Sequence, residues 1–241
     1  MKNLWLGLRA TLFYICYVMI TVVVCFIFPV FIFFLPFNIR YHVLSSWNYG
    51  VVFCARWICG IKYTITGLEN IPKDGPYVIL AKHQSQWETF LLLLLFKPVS
   101  IILKKELLKI PGFGLGLSMM KPIAIDRSNP KQAIKQIKNE GMKRLLEDKM
   151  PVMIFPEGTR IPVGEAGKYA RGGANLAIDA KVPVIFVSHN AGYCWPSDEF
   201  IKHPGTVEVV ISKPVNPEGM TAKELTDMAQ QWVESHIKTP R

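Results

Sequence analysis

Between Thr11 and Leu35 the chain reads TLFYICYVMITVVVCFIFPVFIFFL, 25 residues without a charge. No other feature limits the possible folds as much. At 1.5 Å rise per residue, a helix of this length can cross a hydrocarbon core of roughly 30 Å. A cleaved signal peptide would have an apolar region of about 7–15 residues ending in a small-residue cleavage site, and no such site follows. A buried helix of a soluble protein is the weaker alternative. Pro29 and Pro36 interrupt the run, and a second semi-apolar stretch, VLSSWNYGVVFCARWICG, extends from Val43 to Gly60. A single span and a re-entrant or interfacial helical hairpin both fit. Lys2 and Arg9 precede the run and Arg40, Arg56 and Lys62 follow it, so flanking charge gives no orientation.

The formal net charge is +10, with a pI near 9.4. Basic charge beside an apolar segment suits an anionic membrane surface. Nucleic acid, the usual alternative partner of a basic chain, has no recognition motif here. Cys16, Cys25, Cys54, Cys59 and Cys194 form neither a CxxC pair nor a zinc pattern. They read as reduced apolar filler in a cytoplasm-facing protein.

After Gly60 the pattern changes, which sets an amino-terminal membrane-associated helical segment, 1–60, before an α/β domain, 61–241. Strands are expected at Pro76–Ala81, Val99–Leu103, Pro122–Ile125, Val152–Phe155, Val182–Ser188 and Thr206–Ser212. Helices are expected at Glu88–Phe96, Lys131–Asp148, Gly172–Ala180 and Ala222–Ile237. This alternation predicts a mixed, largely parallel sheet flanked by helices. Ligands in such sheets gather where strands hand over to the next element, and each motif below lies at such a handover.

KHQSQWETF, Lys82–Phe90, places a histidine five residues before a glutamate. On one continuous helix, positions five apart differ by about 140° and do not meet. His83 and Glu88 can therefore touch only if the chain turns between them. Ser85 and Glu88 form a capping-box pattern, S-Q-W-E, which supplies both a turn and a purely structural explanation of Glu88. The two roles are compatible. A carboxylate partner would fix the imidazole tautomer of His83 and steady the imidazolium of a general base. No Ser, Cys or Thr nucleophile pairs with His83, so it would act on a hydroxyl or water of the substrate.

FPEGTR, Phe155–Arg160, follows a strand. Gly158 would let a backbone N–H approach a ligand, and the Arg160 fork suits phosphate. AIDRS, Ala124–Ser128, carries Arg127 at another strand end, and LKKELL, Leu103–Leu108, offers Lys104 or Lys105. VPVIFVSHNAG reads as a wall of the site, with His189 a poor catalytic candidate. The set holds one base and several cations, with no paired carboxylates or metal-ligand cluster. It favours acyl transfer onto a phosphate-bearing alcohol over phosphoryl transfer, which would want a metal site.

The order His-x-x-x-x-acid, an apolar run ending Asp126-Arg127, Phe-Pro-Glu-Gly-Thr-Arg and a Pro-bearing apolar strand resembles the glycerolipid acyltransferase family over roughly Tyr63–Lys213. Glu88 stands where that family usually has Asp, Lys82 where Asn is frequent, KPIAI in place of a glycine-led form, and Ile161 where Ser is common. The resemblance implies transfer of a fatty acyl group from acyl-CoA or acyl carrier protein to the sn-2 hydroxyl of lysophosphatidic acid, giving phosphatidic acid, at a cytoplasmic membrane face. It implies His83 as general base and Glu88 as its orienting partner. Lys104, Arg127 and Arg160 would hold the acceptor's phosphate, with Glu157 and Gly158 shaping that site. No cofactor or metal is implied beyond the thioester co-substrate. Acylation of a different lysolipid, thioester hydrolysis and non-catalytic lipid binding are the competing expectations.

Overall fold

The computed structural model describes residues 2–126 and 128–239. The chain begins with helix α1, Lys2–Thr21, which continues through a wide π-turn segment, Val22–Ile27, into α2, Phe28–Ile32. After a turn it returns as α3, Phe37–Cys54, prolonged by Ala55–Cys59. The two arms are antiparallel: the Arg9 guanidinium donates to the Ile58 carbonyl, and Trp47 Nε1 donates to Thr21 Oγ1 at 2.9 Å. Pro36 enters α3 in an extended conformation (ψ 151°), so the turn falls where the second proline breaks the apolar run.

Asn3–Ile32 is long and apolar enough to cross a membrane, yet only 22% of its most apolar stretch is buried. The hairpin lies along the α/β domain, with Phe13, Val51, Val52, Ala55 and Cys59 inside the domain's core. Its other side leaves Trp5, Leu8, Leu12, Ile15, Met19, Val30, Phe31 and Phe34 exposed.

The domain is a seven-stranded sheet in the order β1-β7-β6-β2-β5-β3-β4. Its strands are β1 (Ile61–Thr66), β2 (Val78–Ala81), β3 (Ser100–Lys104), β4 (Ile123–Ile125), β5 (Val152–Ile154), β6 (Val184–His189) and β7 (Gly205–Ile211). Pairing is parallel except between β6 and β7. The α/β class and the largely parallel sheet agree with the sequence reading, and the six expected strands fall within two residues of observed ones. β1, the short helix α5 (Phe113–Ser118) and the 3₁₀ turns were not anticipated.

The remaining helices are α4 (Trp87–Leu95), α6 (Pro130–Met142), α7 (Gly172–Ala180) and α8 (Ala222–Ser235). α6 starts where Asn129 Oδ1 accepts the Gln132 N–H at 3.1 Å, with Pro130 in the first turn, where its missing N–H costs nothing. Thr221 and Glu224 form a reciprocal capping box on α8. The alternation of each central strand divides the core. Ile79 and Ala81 face α4 and the hairpin, while Val78 and Leu80 face α6, α7 and α8. Because β2, β3, β4, β5 and β6 run the same way, their carboxy ends share one edge of the sheet.

Candidate active site

That edge collects Lys82 and His83 after β2, Lys104 at the end of β3, Asp126 after β4, Phe155–Arg160 after β5 and His189 at the end of β6. The chain turns at once beyond His83. Ser85 Oγ accepts the Trp87 N–H at 3.1 Å, and α4 begins. Glu88 Oε1 reaches back to the N–H groups of Ser85 (3.1 Å) and Gln84 (3.3 Å). The same oxygen lies 2.8 Å from His83 Nδ1. The cap and the dyad are therefore one carboxylate used twice.

Glu88 is fully buried and His83 keeps 13% of its side chain exposed. An ionised carboxylate only accepts, so Nδ1 of His83 carries the hydrogen and Nε2 holds the lone pair. The imidazole stacks on Phe155, with ring centroids 4.1 Å apart and 15° between planes. Burial alone would raise the Glu88 carboxyl; the neighbouring His189 and His83 imidazoles and the Ser85 N–H outweigh it and hold it below its ordinary value. Burial pushes His189 down. Its Nδ1 accepts the Ala191 N–H at 3.2 Å, which leaves Nε2–H to donate to the Lys82 carbonyl at 2.9 Å.

His83 opens onto a groove of about 920 Å³. Ile101, Leu103, Ile125, Ala133 and Ile154 line an apolar part, while Lys104 and Arg160 bring positive charge to its polar part. Both cations are exposed, so they are accessible to an anionic group. Gly158 also lines the groove, but its N–H closes a turn onto the Phe155 carbonyl at 3.0 Å. Glycine is favoured there by φ +70°, a left-handed conformation that costs other residues about 1–2 kcal/mol. Glu157 sits behind the groove, its carboxylate bonded to Lys82 Nζ at 2.6 Å and to the His83 N–H at 2.8 Å. Asp126 is ion-paired with Lys105 and accepts the Ser128 N–H at 3.0 Å. Arg127 lies outside the described residues. Among the described residues, no group of three or more His, Cys, Asp or Glu could hold a metal ion.

Three contributors to this region were not singled out as functional in the sequence: Lys82, Glu234 and, as the inner neighbour of Glu88, His189. His189 carried a signal, a histidine at the end of a strand. Glu234 carried none, being one of several charges on an amphipathic helix.

The sequence model of the acyltransferase family matches residues 62–190, the stretch holding His83, Glu88, Lys104, Glu157 and Arg160. A 1-acyl-sn-glycerol-3-phosphate acyltransferase of Pseudomonas aeruginosa is 49% identical over 203 residues, covering 83% of this chain and 78% of that protein. The mouse 1-acyl-sn-glycerol-3-phosphate acyltransferase alpha is 30% identical over 178 residues, covering 73% of this chain and 62% of its own. The crystal structure of the 1-acyl-sn-glycerophosphate acyltransferase PlsC from Thermotoga maritima superposes with a TM-score of 0.75 at 25% identity, covering 95% of this chain and 97% of that one. Motifs, fold and relatives agree: the chain belongs to the acyltransferase family, as an enzyme of the glycerolipid acyltransferase kind.

Proposed function

We propose that the enzyme moves a fatty acyl group from a thioester, acyl-CoA or acyl carrier protein, to the sn-2 hydroxyl of lysophosphatidic acid, producing phosphatidic acid. The observation that carries this reading is the Nε2 of His83, without a hydrogen-bond partner among the described residues and poised by Glu88 in a groove that combines an apolar part with the cations Lys104 and Arg160. The names of the relatives support the same acceptor. The apolar part suits an acyl chain and the cations suit the acceptor's phosphate, with Glu157 and Gly158 shaping the loop that carries Arg160; Arg127, outside the described residues, is a further phosphate ligand in this reading.

In the reaction, His83 Nε2 takes the proton of the sn-2 hydroxyl as the alkoxide oxygen attacks the thioester carbonyl carbon. The new C–O bond forms, the C–S bond breaks, and the departing thiolate recovers the proton from the imidazolium. Glu88 stabilises that imidazolium throughout. A positioned base of this kind contributes roughly 10²–10⁴-fold. No covalent acyl-enzyme is required, because the thiolate is already a good leaving group.

The hairpin would seat the enzyme in the surface of an anionic membrane, with its exposed apolar face among the acyl chains and the catalytic domain on the cytoplasmic side. Acceptor and product both reside there. The test is an acceptor panel in mixed vesicles with labelled acyl-CoA and labelled acyl carrier protein as separate donors. Phosphatidic acid should form from lysophosphatidic acid, with little product from lysolipids lacking a free phosphate. Equal use of phosphate-free acceptors would refute the cation assignment, and thioester loss without any acceptor would make the enzyme a hydrolase.

A further inference from the structure

Three charged side chains that take no part in proton transfer meet directly behind His83. The Lys82 ammonium is completely buried. It donates to Glu157 Oε1 at 2.6 Å, to Glu234 Oε1 at 2.8 Å and to the Glu165 carbonyl at 3.2 Å. An ammonium has three hydrogens, so its donor capacity is filled. Glu157 in turn holds the His83 N–H through its second oxygen, and the Ile161 N–H returns to the His83 carbonyl at 2.8 Å. On α8, Glu234 also accepts from Tyr169 Oη at 3.3 Å, and Gln230 donates to the Gly167 carbonyl at 3.1 Å. The loop carrying Arg160 is thus gripped on one side by Lys82 and on the other by α8.

Stability alone is a weak reason for this arrangement. Buried ion pairs are often no better than well-packed apolar groups of equal volume, although removing a single partner is costly. What an apolar replacement cannot do is hold one carboxylate at two points, on Lys82 and on the backbone of the catalytic histidine. We propose that Lys82 and Glu234 are positioning residues for acyl transfer: α8 acts through them as a strut that sets the His83 backbone and the Arg160 loop in register. This rests on the reading of His83 as the base and Arg160 as a phosphate ligand.

The structure gives the effect a direction. Burial already pushes the Glu157 carboxyl up; as long as it stays ionised, loss of the Lys82 ammonium leaves its charge unbalanced beside the His83 N–H and favours the imidazolium. Among the described residues, the other charged or titratable groups around His83 are Glu88 of α4, His189 of β6 and, in the groove, Arg160, Lys104 and Asp198; they stay in place. The acid limb of the pH–rate profile should therefore move to higher pH.

The experiment uses the full chain in vesicles, comparing Lys82→Met, Lys82→Arg, Glu234→Ala, Glu234→Gln and His83→Ala. Acceptor and donor are varied separately, and melting temperature is recorded for each protein. Displacements near 1 Å typically cost about 10²-fold. On that scale Lys82→Met should lose roughly 10²-fold in kcat, raise KM for the acceptor but not the donor, and shift the acid limb upward. Lys82→Arg should recover part of all three. Glu234→Ala should show the kcat and acceptor-KM effects at roughly tenfold size, with Glu234→Gln recovering part of them. If Lys82→Met does not fold, the partly exposed Glu234 position decides alone. Lowered melting temperature with wild-type kcat, KM and pH profile in the folded fraction would overturn the proposal while leaving the base assignment intact. Wild-type turnover by His83→Ala would overturn both.

Discussion

Glu88→Gln exchanges a buried carboxylate for an amide of nearly the same shape. Three donors converge on Glu88 Oε1, from His83, Ser85 and Gln84, and a Gln oxygen can accept all of them. The turn and the start of α4 should survive; the charge is lost, and an amide NH2 takes the place of the buried Oε2, which has no hydrogen-bond partner among the described residues. Hydrogen bonds to charged groups contribute about 1.5–3 kcal/mol and neutral ones about 0.5–1.5 kcal/mol. The imidazolium formed during proton transfer therefore loses roughly 1–2 kcal/mol, which is about 5- to 30-fold in kcat. Neither KM should change greatly, because Glu88 does not line the groove. Initial rates of phosphatidic acid formation, measured across a pH series at saturating donor and acceptor, give the test. With its carboxylate partner gone the imidazolium is less favoured, so the acid limb should move to lower pH. Glu88→Asp keeps the charge but shortens the arm and separates charge from reach. An unchanged kcat in folded Glu88→Gln, or a loss of rate with an unmoved acid limb, would refute the dyad.

Arg160→Ala should raise the KM for lysophosphatidic acid by roughly 10- to 100-fold, the range of one lost charge-assisted contact, while Arg160→Lys should fall between; an unchanged acceptor KM would remove Arg160 from the phosphate site. Asp126 is held down to about 2 from its ordinary 3.8 by hydrogen bonds from the Lys105 ammonium and Ser128. A depressed carboxyl contributes stability that is present above its unfolded value and is lost as pH falls through its folded one. Asp126→Asn should therefore lose less melting temperature than wild type between pH 3.8 and about 2, and parallel losses would show that the pair contributes nothing. Phe31→Asp with Phe34→Asp, at positions 74% and 88% exposed on the hairpin, should cut vesicle binding at least tenfold, since each lost aromatic anchor is worth about 1.5–3 kcal/mol when buried in lipid. Equal co-sedimentation with wild type would contradict the membrane seat.

Much of this arrangement was legible in local patterns. The apolar runs of β2, β5 and β6 are buried on both faces, which is why continuous rather than alternating hydrophobicity marked them. The Ser85–Glu88 cap announced a turn that brings residues five apart together. β1 was overlooked although IKYTIT alternates, because its partner β7 lies far away in sequence and supplies the parallel ladder that makes it a strand. Lys82 stood out in the sequence only as a lysine where Asn is frequent, and the fold shows it buried between carboxylates of two distant segments. Burial and long-range pairing are properties of assembly, and neither is written in a six-residue window.

The central claim, that His83 is the base of an acyl transfer to lysophosphatidic acid, is tested most directly by one comparison. Transfer of a labelled acyl group from acyl-CoA, or from acyl carrier protein, to lysophosphatidic acid is measured for wild type and for His83→Ala with a matching melting temperature. The account predicts phosphatidic acid from wild type and a loss of at least about 10²-fold in the variant, the lower range for a positioned general base. Equal rates from the two folded proteins would contradict it, and would leave KHQSQWETF as the cap of a helix.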